Sequence, residues 1–214
     1  LMSLVYPKQQ SDMVKSMLSI YDESGWLPKW ELNATETTTM VGDPAGIIIA
    51  DTYLRGIKDF DIEKAYEAIT KSATQLDYNF LRPGIKEYVK RGYLTTSSTK
   101  SGSVSTTQEY NITDFAISQL AKSMNKKEDE IFYGKRSISY RKLFDSEFGL
   151  LRPKNPDDSW VTPFSPNTGA NFQKNLGFIE GNSWQYTFMV THDTRGLMKL
   201  IGGKEEYSNQ LQKV

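Results

Sequence analysis

At 214 residues, with 26 basic and 26 acidic side chains and one histidine, the chain is long enough for one sizeable core and carries no formal net charge. Neutrality argues against a protein that lives on nucleic-acid phosphates or anionic membranes, and the longest uncharged apolar run, from Ala45 to Ala50, is far shorter than the roughly 20 residues that span a bilayer. The absence of cysteine removes disulfide frameworks, thiolate metal sites and cysteine nucleophiles together, so any catalysis runs on carboxylates.

The chain opens at Leu1-Met2-Ser3-Leu4-Val5-Tyr6-Pro7 without a basic leader or a small-residue cleavage site, and it reads as a piece of something longer. Ser11 is placed to cap a first helix with Met13, Met17, Leu18 and Tyr21 on one face and Gly25 at its end. Pro44 suits the first turn of a second helix that runs through Ile57. Asp61 caps a third with Ile62, Ala65, Tyr66, Ile69 and Ala73 at helical spacing, and a short fourth holds Ile85, Tyr88 and Val89 before Gly92.

Ser105 and Gln108 have capping-box form ahead of Ile112, Phe115, Ala116, Gln119 and Leu120, which places Glu109 in a first helical turn. A further helix is expected from about Glu128 to Phe144, carrying Ile131, Ile138 and Leu143. A Pro, Asn and Asp-rich loop follows over residues 153–175. Asp193 caps a helix through Ile201, Gly202-Gly203 ends it, and another begins at Lys204. Residues 92–95 and 186–190 are the candidate strands, both short. The pattern predicts an all-α chain of αα-hairpins with minor β pieces, forming a single unit over residues 1–214.

Three segments at helix ends concentrate residues that a core does not need: 25–43, 103–110 and 180–193. Trp26, Trp30 and Trp184 offer flat apolar faces of the kind that stack on the C–H face of a sugar, although any one of them could equally be core. Glu109 is a candidate acid, against the plainer reading of a first-turn glutamate favoured by the helix dipole. That dipole lowers the pKa a general acid needs raised, so desolvation or a second carboxylate must oppose it. Glu180-Gly181-Asn182-Ser183-Trp184-Gln185 supplies hard oxygen ligands of the calcium type without the spacing of an EF-hand. The lone histidine pairs with a helix cap in His192-Asp193, which reads as structural, and zinc is not expected. Asn33-Ala34-Thr35 and Asn111-Ile112-Thr113 match the glycosylation sequon, which matters only in a eukaryotic secretory host.

Taken in order, Gly25-Trp26-Leu27-Pro28-Lys29-Trp30, Glu36-Thr37 with Met40-Val41-Gly42-Asp43, Ser103-Val104-Ser105 with Glu109-Tyr110, Leu151-Arg152-Pro153-Lys154, Glu180 through Tyr186, and His192-Asp193 resemble the family 92 α-mannosidases along nearly the whole chain. The resemblance implies part of an (α/α)6 barrel, paired in complete members with an N-terminal β-sandwich that is absent here, as is a C-terminal remainder. It further implies calcium-assisted, inverting, exo-acting hydrolysis of α-linked mannose from N-glycans or mannans, with α-1,2 the expected linkage. By motif match Glu109 looks like the general acid and Glu180 like a contact to the mannose hydroxyls, with Trp26, Trp30 and Trp184 in substrate binding. Asn182 and Gln185 are the candidate calcium ligands.

An inverting glycosidase needs a second carboxylate about 6.5–9.5 Å from its acid to activate water. The resemblance puts that base in an Asn-Asp-Asp-type segment beyond Val214. The implied partners are mannose-containing glycans and the missing parts of the same protein, with no nucleic acid and no membrane span. The implied location is periplasmic, cell-surface or secreted. Gln108 stands where the family commonly has leucine, and Asn111-Ile112-Thr113 where it has an aromatic and two aspartates, which leaves specificity open. The rival reading is a non-catalytic helical glycan-binding or scaffold protein that merely holds sugar with the same tryptophans and carboxylates.

Overall fold

The computed structural model describes residues 1–99, 101–169 and 177–214, so the end of the loop expected over 153–175 lies outside the described residues. In chain order the helices are α1 (Met2–Val5), α2 (Pro7–Ser24), α3 (Ala45–Leu54), α4 (Ile62–Thr74), α5 (Ile85–Arg91), α6 (Ser103–Ser123), α7 (Lys127–Ser137), α8 (Ser183–Phe188), α9 (Thr194–Ile201) and α10 (Lys204–Leu211). Two antiparallel two-residue pairs complete the regular structure, β1 (Glu31–Leu32) with β2 (Thr35–Glu36) and β3 (Phe144–Asp145) with β4 (Leu150–Leu151). The chain is all-α with small β pieces.

By its contacts the chain divides into two compact units, one of residues Leu1–Ile85 and Thr113–Ser137, the other of Lys86–Ile112 and Ile138–Val214. In the first, α2, α3 and α4 pack on one another around Val14, Leu18, Ile49, Ala65, Ile69 and Ile117, all buried. In the second, Val104, Tyr140, Leu143, Leu151, Phe178 and Leu197 form the core, and α8 packs on β4.

Several helix ends follow their local signals. Gly25 terminates α2 in the left-handed conformation at φ +77, Asp61 accepts a capping bond from the Lys64 amide, and Asp193 does the same for Gly196 at the start of α9. Other ends moved for identifiable reasons. Ser11 is not a cap: Pro7 opens α2, and Ser11 is buried within it, its hydroxyl donated to Asp59. With Gln10 likewise bonded to Thr52, the buried face of α2 is rotated and Met13 is left exposed. The second helix stops at Leu54 rather than Ile57, and Val89 and Ile131 lie on exposed faces.

The helix expected to reach Phe144 ends at Ser137 and gives way to a 3-10 turn over Ser139–Leu143. There the Tyr140 amide donates to the Asn111 side chain at 2.7 Å instead of to the preceding helical turn. Neither strand candidate is a strand. Around 92–95 the Leu94 and Thr95 amides are taken by the Thr107 and Ser98 hydroxyls, while Tyr186 belongs to α8. The real hairpin β1–β2 turns on Asn33 and Ala34, both at positive φ, a turn for which alanine is a poor advertisement.

The first unit buries four charges. Arg82, fully buried, donates to Asp43 at 2.8 Å and to Asp114 at 2.9 Å, and Arg136 donates to both Asp114 oxygens. Ser72 adds a bond to Asp43 at 2.7 Å. Two positive and two negative charges cancel, and the network ties α4, α6 and α7 to the loops at Asp43 and Arg82. Burial alone would raise the Asp114 pKa, but the two guanidiniums outweigh it and hold the carboxyl below its usual value. A depressed folded-state pKa contributes stability that is present above the unfolded value of about 3.9 and is lost as pH falls through the folded value. Asp114→Ala, which takes a carboxylate from buried Arg136 and leaves Arg82 with Asp43, is expected to cost about 3–5 kcal/mol in urea unfolding at neutral pH. Asp114→Asn should remove this residue's share of the stability lost below about pH 4.

Candidate functional site

The second unit gathers buried polar side chains where α6 begins. Gly102, at φ +68, accepts a bond from the Thr106 amide, and the Gly177 carbonyl accepts from both Val104 and Ser105 amides at 2.9 and 3.1 Å. These bonds satisfy the helix's first free N–H groups from outside, so no capping box forms between Ser105 and Gln108. The helix therefore starts at Ser103, and Glu109 is its seventh residue rather than a first-turn residue. The dipole falls off within a turn, so it bears on Glu109 less than first-turn placement implies. From 103 to 110, Glu109 is the one residue that is half-buried rather than buried.

Ser105, freed from capping, accepts the Ile179 amide at 2.9 Å, and the Tyr186 hydroxyl donates to the Ile179 carbonyl at 2.7 Å. Gln108 donates to the Tyr186 carbonyl at 3.0 Å, joining α6 to α8. Glu180 follows Ile179, exposed and at φ +51, a left-handed conformation unusual for a residue with a side chain. The Tyr186 phenol has its pKa raised chiefly by burial, opposed by the Ser105 hydroxyl and reinforced by the charges of Glu109 and Glu180. Both candidate carboxylates thus act on one tyrosine, which stays protonated and available as a donor.

Asn182 and Gln185 form a reciprocal capping box at the start of α8: the Asn182 side chain accepts from the Gln185 amide at 3.2 Å, and the Gln185 side chain accepts from the Asn182 amide at 2.9 Å. Each amide oxygen keeps a second lone pair, yet two neutral oxygens fall short of the six to eight or so that calcium takes. Among the described residues no group of three or more His, Asp or Glu is arranged to hold a metal. The pair alone does not fit a calcium ion. His192 lies edge-on to Tyr140, and the neighbouring Asp193 caps α9 while accepting bonds from Tyr140 and Arg141.

Of the three candidate tryptophans, Trp184 lies in this unit, on α8, with its indole N–H donated to Asn167 at 2.9 Å. Trp26 and Trp30 belong to the first unit. Trp26 packs between the Lys71 ammonium, 4.7 Å from its ring centre, and Phe80 at 5.2 Å, on the wall of a cleft of about 350 Å³. Trp30 is 45 % exposed, and its backbone amide, with those of Lys29 and Thr38, donates to Glu36. Burial would raise the Glu36 pKa, but these backbone donors prevail and hold it low. Sequence reasoning gave Ser105 a capping role and Tyr186 none; the usable signal was the concentration of hydroxyls over 103–107. Asn111 of the second sequon is fully buried, its side chain bonded to Tyr88, Ser139 and Tyr140.

The sequence matches the Glycosyl hydrolase family 92 catalytic domain over residues 1–214. A structure of a family 92 α-mannosidase from Bacteroides thetaiotaomicron is similar at a TM-score of 0.88 and 33 % identity, over 99 % of this chain and 27 % of that one. A family 92 inverting mannosidase from the same species is similar at 0.86 and 28 % identity, over 96 % of this chain and 27 % of its own. An uncharacterized secreted glycosidase of Arthroderma benhamiae is 25 % identical over 94 % of this chain and 30 % of its own length. The chain therefore spans under a third of these relatives.

Gly177 holds the site together through a backbone only glycine permits. It sits at φ +74, and a Cβ there would come within 2.7 Å of Pro153 and 3.3 Å of Val104. Gly177→Ala is expected to cost more than about 1 kcal/mol in thermal or urea unfolding, the opposite of the usual gain from Gly→Ala.

Proposed function

The chain belongs to glycosyl hydrolase family 92, and from that membership we propose that the protein it forms part of is an inverting, exo-acting α-mannosidase that removes terminal mannose from N-glycans or mannans. The observation that carries the reading is the pair of carboxylates, Glu109 and Glu180, set around Tyr186 on elements joined to one another by buried and part-buried hydrogen bonds. Carboxylates held on a rigid frame are what glycoside hydrolysis requires.

In this mechanism Glu109, protonated, gives its proton to the glycosidic oxygen as the bond to the anomeric carbon breaks. Glu180 accepts hydrogen bonds from the mannose hydroxyls and fixes the ring. Trp184 offers an aromatic face beside them. Water activated by a base elsewhere in the whole protein attacks from the opposite face and inverts the anomeric centre. Calcium is part of the proposal as an ion completed by oxygen donors beyond Asn182 and Gln185, and no step is drawn through it. α-1,2-linked mannose is the proposed substrate. The periplasm, the cell surface or the medium is the proposed location, in keeping with the secreted fungal relative.

Glu109→Gln in the whole protein is expected to lower mannose release from α-1,2-mannobiose roughly 10²- to 10⁴-fold while mannoside binding persists. Retained full activity would remove Glu109 from the acid role. Parallel assays on α-1,3- and α-1,6-mannobiose, each with calcium and with a chelator, test linkage and ion together. Binding without release from any linkage would favour a glycan-binding protein.

A further inference from the structure

Glu180 occupies a backbone conformation that its own side chain disfavours, and the residues on both sides show what keeps it there. On the N-terminal side Ile179 is bonded at both backbone groups, its amide to the Ser105 hydroxyl at 2.9 Å and its carbonyl to the Tyr186 hydroxyl at 2.7 Å. On the C-terminal side the Asn182 amide is held by the Gln185 side chain at 2.9 Å. Between these clamps lie only Glu180 and Gly181. Gly181 is itself confined, because a Cβ there would meet Gln185 Oε1 at 3.0 Å and the Tyr186 ring at 3.1 Å. The backbone of Glu180 is thus set by consecutive residues of α8, with Ser105 of α6 as the second anchor.

We propose that the Tyr186 hydroxyl is a positioning group: by holding the Ile179 carbonyl it keeps Glu180 in the left-handed conformation that presents its carboxylate to the sugar. The assignment rests on the mannosidase reading above, in which Glu180 binds the mannose hydroxyls. Tyr186 touches no reacting atom in this scheme and acts only through Glu180. Its ring has separate work, packing against Phe178 at 5.9 Å between centroids and closing the space beside Gly181. Tyr186→Phe keeps that packing and deletes only the hydroxyl. The consequence should therefore fall on substrate binding rather than on proton transfer by Glu109.

The test is steady-state kinetics of the whole protein on the mannobiose it cleaves best, for the unsubstituted enzyme, Tyr186→Phe, Glu180→Gln and the double variant, with thermal melting to show that each is folded. Tyr186→Phe is expected to raise KM roughly five- to tenfold with kcat nearly unchanged, the signature of lost uniform binding through one hydrogen bond. On the Glu180→Gln background the same substitution should add little, because the group it positions is already disabled. An unchanged KM, an equal effect in both backgrounds, or a lowered melting temperature without a change in KM would each overturn the proposal. If Tyr186→Phe does not fold, Ser105→Ala, which removes the other half of the Ile179 clamp, is expected to give the same KM shift, and its failure to do so would overturn the proposal equally. Absence of mannose release by the unsubstituted protein would overturn the mannosidase reading and this one with it. Release by that protein with normal KM in the variants would overturn only this one.

Discussion

Helix α6 is enclosed along its length, with no residue from 103 to 121 exposed, and yet it carries Ser105, Gln108, Asn111 and Asp114 into that enclosure. A buried polar side chain left unsatisfied costs more than the bond it forgoes, so the surroundings of this helix have to supply partners at fixed places. Much of the remaining structure can be understood as that supply. Ser105 takes the Ile179 amide, Gln108 the Tyr186 carbonyl, Asn111 the Tyr140 amide, and Asp114 the guanidiniums of Arg82 and Arg136. Each partner lies between 22 and 78 residues away, so one polar helix orders segments scattered along the sequence.

The same enclosure surrounds Glu109. Ser105 and Gln108, which precede it in the first turns of α6, are bonded to Ile179 and Tyr186, and Glu109 is half-buried between buried neighbours. Glu180 reaches the same tyrosine by another route, a strained residue suspended between two clamps. Strain of that kind survives only where the surroundings over-determine the backbone, and here they do so on both sides. Polar residues stand on α6 at buried positions that an ordinary amphipathic helix fills with leucine. Within the first unit, Asp114 shows the cost of buried polarity most visibly, since removing it takes from Arg136 the carboxylate it bonds at both oxygens.

The local signals that proved reliable are those whose chemistry is confined to a few residues. Asp61 and Asp193 cap because a carboxylate can reach an amide three residues on, and Gly25 ends a helix because it alone adopts the left-handed region without a clash. The family was legible in the six ordered motifs, which the match over residues 1–214 bears out. The signals that misled are those in which a distant group competes for the same atom. Ser105 has the form of a cap, but Gly177 reaches the helix amides first and turns the serine into an acceptor for Ile179. The helix expected to continue to Phe144 breaks because Asn111 claims the Tyr140 amide.

The sequence by itself therefore determined the all-α class, the caps at Asp61 and Asp193, the stop at Gly25, the family and the identity of the candidate carboxylates, since these depend on residue type, short-range spacing or ordered motifs. Only the tertiary structure decided where α6 begins, that Glu109 lies beyond its first turn, and that Ser105 and Tyr186 hold the backbone beside Glu180. The physical reason is that a backbone amide takes the best acceptor the folded chain offers, and that acceptor is often a residue far away in sequence.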